Sequence, residues 1–113
     1  MEVITIEKIK LMLRIETDEE NGVLEKYGNR AEEIVQEIMG RDFEEIRKIY
    51  GHVHAGIIHA CLIVAEKLYM FDVDLTPSSM RKLPFTIGVL LEIYSKKGIM
   101  QRMQTVNLET WNL

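Results

Sequence analysis

The sequence predicts an all-α fold: a small bundle of four to five helices around a central apolar helix, followed by a C-terminal arm. Apolar residues recur at three- and four-residue spacing through most of the chain, and capping residues stand before several of those runs. Two prolines against seven glycines, with Ile, Leu, Glu and Lys prominent, favour helices over many short strands. At 113 residues, 47% hydrophobic and 28% charged, the chain holds one core in ordinary soluble globular proportions. That composition excludes a disordered tail and a membrane protein.

The first helix is expected after Thr5, whose hydroxyl caps free backbone N–H groups, with Ile6, Ile9 and Leu13 forming one stripe. Thr17 and Glu20 have the spacing of a capping box, and Asp18 and Glu19 add negative charge where the helix dipole favours it. The helix expected there points Val23, Leu24, Tyr27, Ala31, Ile34, Val35, Ile38 and Met39 inward and ends at Gly40. Its solvent side is Glu25, Arg30, Glu32, Glu33 and Glu37. Gly22 and Gly28 each weaken it by about 1 kcal/mol relative to alanine. Asp42 and Glu45 repeat the capping spacing ahead of a short helix through Tyr50, closed by Gly51.

From about His52 to Phe71 two adjoining apolar faces cover much of a helix's circumference, which marks the central helix of the bundle. One is Val53, Ile57, Ala60, Cys61, Val64, Leu68 and Phe71, and the other is Ile58, Leu62, Ala65 and Tyr69. Residues 72–79 form a loop, and Pro84 opens a helix from Phe85 to Lys97 that turns Ile87, Leu90, Leu91 and Tyr94 inward. Lys96 and Lys97 lie in its last turn, and it stops at Gly98. The chain therefore divides into a helical domain, residues 1–98, and an arm, residues 99–113, in which Met100, Met103, Val106, Leu108 and Trp111 follow no clean period. Such an arm is suited to docking on a neighbour.

The formal charge of -4 disfavours a broad phosphate-gripping face. The charge is uneven: residues 1–56 carry 8 basic and 13 acidic side chains, residues 57–113 carry 6 and 5. A lone Cys61 within an apolar run reads as buried and reduced. The N-terminus lacks the layout of a signal peptide, so the protein is expected not to be secreted, and no stretch is apolar enough to span a bilayer.

His52, His54 and His59 near Cys61 are not spaced as a metal set, and His52, His59 and Glu66 at seven-residue intervals read as a polar seam. The acidic groups Asp18-Glu19-Glu20, Glu32-Glu33 and Glu44-Glu45 are explained by capping and solvation. No nucleophile with a partner, phosphate loop or metalloprotease motif is present. No metal, cofactor or catalytic residue is assigned.

The order of signals is more informative than any one of them. Ile4-Thr5-Ile6-Glu7-Lys8-Ile9-Lys10 leads to Leu13-Arg14-Ile15, then to an acidic cap and a long helix ending Ile38-Met39-Gly40-Arg41. An apolar helix, Ala60 to Phe71, precedes Leu83-Pro84-Phe85, then Gly88-Val89, Leu90-Leu91 and Tyr94. In this ordered set the chain resembles the head-tail connector (DNA-packaging adaptor) family of tailed bacteriophages, from Ile4 to Lys97.

The resemblance implies a structural phage or prophage protein of the virion or bacterial host cytoplasm, with no enzymatic activity. It implies a homo-oligomeric ring, dodecameric as in the family, that docks under the portal protein, meets the tail-completion protein and extends the DNA channel. DNA passes through without sequence-specific binding, and no membrane is involved. A closed ring needs unlike faces to meet, which the uneven charge suits. The candidate interface residues are Arg81, Lys82 and Leu83 before Pro84, and Met100, Met103 and Trp111 in the arm. The alternatives are a small intracellular helical interaction module acting as a homodimer, and a small DNA-binding regulator.

Overall fold

The computed structural model describes residues 1–71 and 85–95, which form helices and no strand. The order is α1 (Ile6–Leu13), α2 (Asn21–Met39), α3 (Phe43–Tyr50), α4 (Ala55–Phe71) and α5 (Phe85–Leu91), closed by a 3-10 turn, Glu92–Tyr94. The predicted loop at residues 72–79 and the arm lie outside the described residues.

Local chemistry sets most helix ends. Thr5 is extended, and its hydroxyl accepts the Lys8 N–H at 3.2 Å, so α1 starts where the sequence places it. α1 ends at Arg14 in the left-handed region (φ 59°), where the Arg14 and Ile15 N–H groups return to the Leu11 and Lys10 carbonyls. Gly40 (φ 68°) ends α2 in the same way. The Asp42 carboxylate accepts the Glu45 N–H at 2.8 Å to start α3, and Gly51 (φ 89°) follows its end. Gln36 ties α2 to α3, donating to the Glu32 carbonyl and accepting the Phe43 N–H at 3.0 Å.

Three predicted boundaries move. α2 starts at Asn21, after a turn through residues 17–20, because the two acids meant for its cap are engaged elsewhere. The Glu20 carboxylate accepts the Tyr69 hydroxyl, and Asp18 pairs with Lys10, so no capping box forms. α4 starts at Ala55, since the positive φ of Gly51 turns the chain and the His54 carbonyl accepts the Ile57 and Ile58 N–H groups. α5 gives way to the 3-10 turn after Leu91, and Ser95 is already extended, so the helix ends short of Lys96 and Lys97.

α4 is central, as its two apolar faces predict: it packs along α2 and also contacts α1 and α5. Ile57, Ala60, Cys61, Val64, Ala65 and Leu68 are buried against Leu24, Ala31, Ile34, Val35 and Met39 of α2, with Ile9, Phe43, Ile46, Ile87 and Leu91 completing the core. Cys61 is free and buried, and burial raises its thiol pKa far above the ordinary range. Val23, expected inside, is half exposed because it falls in the first turn of α2, one residue before the inward Leu24. No helix among the described residues is long and apolar enough to cross a membrane.

Glu32 overturns the reading of α2's polar side, for it is buried at 5% exposure. Its carboxylate accepts three consecutive backbone N–H groups, from Glu2 at 2.8 Å and from Val3 and Ile4 at 2.9 Å. A carboxylate with this many charge-assisted bonds tolerates burial. The clamp draws Ile4 into the core and fixes where the chain enters α1. Gly28, one turn earlier on α2, leaves room for it: a Cβ there would collide with the Met1 sulfur and lie 3.1 Å from Ile9 Cδ1.

Glu32→Ala should destabilise the fold by about 2–4 kcal/mol in urea denaturation, since three N–H groups lose an ionic acceptor. Gly22→Ala, with open space around the new methyl, should stabilise by roughly 0.5–1 kcal/mol. Gly28→Ala should lose that gain to the displacement of Met1 and Ile9, and equal stabilisation of the two variants would refute the close packing.

Candidate assembly surfaces

Two polar ties brace the ends of α4. At its N-terminal end, four rings gather where α3 turns into α4 and meet the chain after α5. His54 Nδ1 and the Tyr94 hydroxyl share a hydrogen bond at 2.9 Å, and the Tyr50 hydroxyl donates to the Ile93 carbonyl at 2.9 Å. The Tyr50 and Tyr94 rings meet edge to face at 5.2 Å, and His52 lies 4.2 Å from His54. His52 and His54 thus precede the helix on which the sequence placed them, which shortens the expected seam to an exposed His59 and a half-buried Glu66. Among the described residues no group of three or more His, Cys, Asp or Glu converges on a point.

At the C-terminal end of α4, the Tyr69 hydroxyl donates to both oxygens of Glu20, at 2.8 and 3.0 Å. The Tyr27 ring packs edge to face on Tyr69 at 6.4 Å. This tie holds the start of α2 against α4 across 49 residues of chain. The Glu20 carboxylate, accepting the phenol's hydrogen bond and repelling a phenolate, raises the Tyr69 pKa from its ordinary value of about 10.

Several large apolar side chains of the helices lie outside the core. Leu11 on α1 is 79% exposed, and Val23 on α2 and Met70 on α4 are exposed as well. Leu11 borders an open groove with Ile15, Lys10, Arg14, Glu7 and Glu16. Ile49 and Ile93 neighbour Tyr50 and Tyr94 in the chain, Ile93 being 71% exposed, and Val89 on α5 is exposed as well.

A family model for the phage gp6-like head-tail connector protein matches residues 3–86. The span runs from the clamped N-terminal segment through α1 to α4 and into the first residues of α5. The chain belongs to the phage gp6-like head-tail connector family. No curated protein and no solved structure matches it. Within this connector family chain, Arg81, Lys82 and Leu83 fall inside the matched span but outside the described residues. Met100, Met103 and Trp111 fall outside both. The Gly88-Val89, Leu90-Leu91 and Tyr94 pattern lies past the end of the match, although the structure buries Gly88, Leu91 and Tyr94.

Sequence reasoning missed Glu32, Glu20 and His54 as structural ties. For Glu32 a signal existed: it lies four residues after Gly28 and three before Val35, on the stripe that α2 buries. For Glu20 and His54 nothing local points to Tyr69 and Tyr94, which lie 49 and 40 residues away.

The Tyr69 shift has a definite sign. Because its pKa is raised in the folded state, the tie contributes stability below pH 10 that is lost as pH rises above it. NMR titration of the Tyr69 ring should place its ionisation above that of free tyrosine. Glu20→Gln should move it down, and an unchanged titration would show that the carboxylate does not hold the phenol.

Proposed function

We propose that this chain is a structural component of a phage or prophage virion that joins head to tail. Copies associate head to tail into a closed ring, dodecameric in the reading from the family, which docks under the portal protein and extends the DNA channel toward the tail-completion protein. The role is mechanical, with neither catalysis nor a cofactor in it. The observation that carries the proposal is the family match over residues 3–86.

The physical chemistry supports the same reading. A conduit for sliding DNA is better served by a surface that makes few phosphate contacts, and the chain carries a net charge of -4. The acidic first half and mildly basic second half give unlike faces, as a heterologous ring contact requires. In this proposal Arg81, Lys82 and Leu83 contribute to the contact between copies, and the arm, residues 99–113, reaches a neighbour through Met100, Met103 and Trp111. The protein acts in the virion after assembling in the host cytoplasm.

Light scattering on the purified protein, with and without portal protein, together with negative-stain microscopy, tests the reading. The expected result is a closed ring with a central hole. A concentration-independent dimer that ignores portal protein would overturn it in favour of a helical interaction module. Reversing charge at Arg81 and Lys82 should weaken assembly and flatten its salt dependence, and unaltered assembly would remove that pair from the contact.

A further inference from the structure

One face of α1 is uncovered among the described residues and carries a definite order of groups. Glu7, Leu11 and Arg14 follow one another at four- and three-residue steps, so they share a face, and with Lys10, Ile15 and Glu16 they line the open groove. Leu11 is 79% exposed, and Glu7, Arg14 and Glu16 are exposed with no ion pair among the described residues. The face therefore runs acid, apolar, base over about 10 Å of helix, with Ile15 just past its end.

The arm carries the same order with the signs reversed. Arg102, Val106 and Glu109 stand at the same four- and three-residue steps, and Trp111 comes shortly after Glu109 as Ile15 comes after Arg14. Arg102 and Glu109 are the only charged side chains of residues 99–113, so the arm has one base for the acidic end of the groove and one acid for its basic end. Wound as a helix beside α1 and parallel to it, this stretch sets Arg102 against Glu7, Val106 against Leu11 and Glu109 against Arg14. The order of charges supplies the register that the arm's apolar residues, without a clean period, do not.

The path to the groove is short. The Tyr50 hydroxyl holds the Ile93 carbonyl, Arg47 one turn earlier on α3 pairs with Glu2 at 3.8 Å, and Glu2 precedes Glu7 by five residues. The chain after Ser95 thus departs from the side of the fold on which α1 begins, and the seven steps from Ser95 to Arg102 reach up to about 24 Å. We propose that in the free subunit residues 102–111 lie in the α1 groove of their own chain, Arg102 on Glu7, Val106 on Leu11, Glu109 on Arg14 and Trp111 beside Ile15. The contact is autoinhibitory, and this consequence rests on the connector reading: the groove holds back, until assembly, the arm that reaches a neighbour in the ring.

Trp111 is the chain's one tryptophan and reports the contact directly. In the full chain, diluted until light scattering gives a monomer, its emission should lie to the blue of a free tryptophan amide and resist acrylamide quenching, with no dependence on concentration. Leu11→Asp should expose it, whereas Val89→Asp, at an exposed position on α5, should leave it protected. Glu7→Arg and Arg102→Glu should each shift docking about fivefold toward the free arm, and the double variant should restore it. Far-UV circular dichroism checks that each variant folds.

A monomer whose Trp111 quenches like the free amide would overturn the contact, as would protection that Leu11→Asp or the charge variants leave unchanged. Protection that fades on dilution would give the groove to a second copy, and protein that never yields a monomer would leave no free arm to hold; either outcome sinks the proposal. The connector reading fails separately. Rings on portal protein from a chain whose Trp111 is exposed throughout would leave that reading standing and remove this one. A docked arm in a protein that ignores portal would do the reverse.

Discussion

A single buried carboxylate determines how the first fifth of the chain joins the rest. Glu32 is charged in a place where charge is costly, and it is tolerated because three consecutive N–H groups turn their donors onto it. Those donors belong to a segment with no secondary structure of its own, so the carboxylate supplies the partners that a strand or helix would otherwise provide. With Ile4 drawn into the core, the direction of α1 follows, and with it the positions of Leu11 and Arg14 at the far end of that helix. The exposed surface is thus set by a contact some distance inside it.

The central helix plays the complementary part. α4 is buried against α1, α2 and α5, and its apolar faces alone would permit sliding or rotation of its neighbours. Directional hydrogen bonds at its two ends remove that freedom: Tyr69 to Glu20 at one, His54 with Tyr94 and Tyr50 with the Ile93 carbonyl at the other. Each joins segments at least 40 residues apart in sequence, so helix packing is keyed at both ends by polar groups.

In this member of the head-tail connector family the polar side chains of the two ties hold the fold together. Buried Cys61, with its thiol pKa raised by its surroundings, is packing material. The cluster of histidine and tyrosine rings binds elements of the fold to each other. The charge is unevenly distributed along the chain, with the acidic excess in residues 1–56.

The all-α class, the central helix and the starts at Thr5 and Asp42 were legible in the sequence, as were the stops at Gly40 and Gly51. So was the family, through the order of motifs from Ile4 onward. Capping, glycine turns and helical periodicity act over three or four residues, so the sequence by itself determined them. Tertiary structure alone decided that Glu20 would abandon Thr17 for Tyr69, that His54 would pair with Tyr94, and that Glu32 would turn inward toward residues 2–4. The physical reason is the same in each case: a polar group takes whichever partner the packed core brings within bonding distance. For these residues that partner lies tens of positions away along the chain.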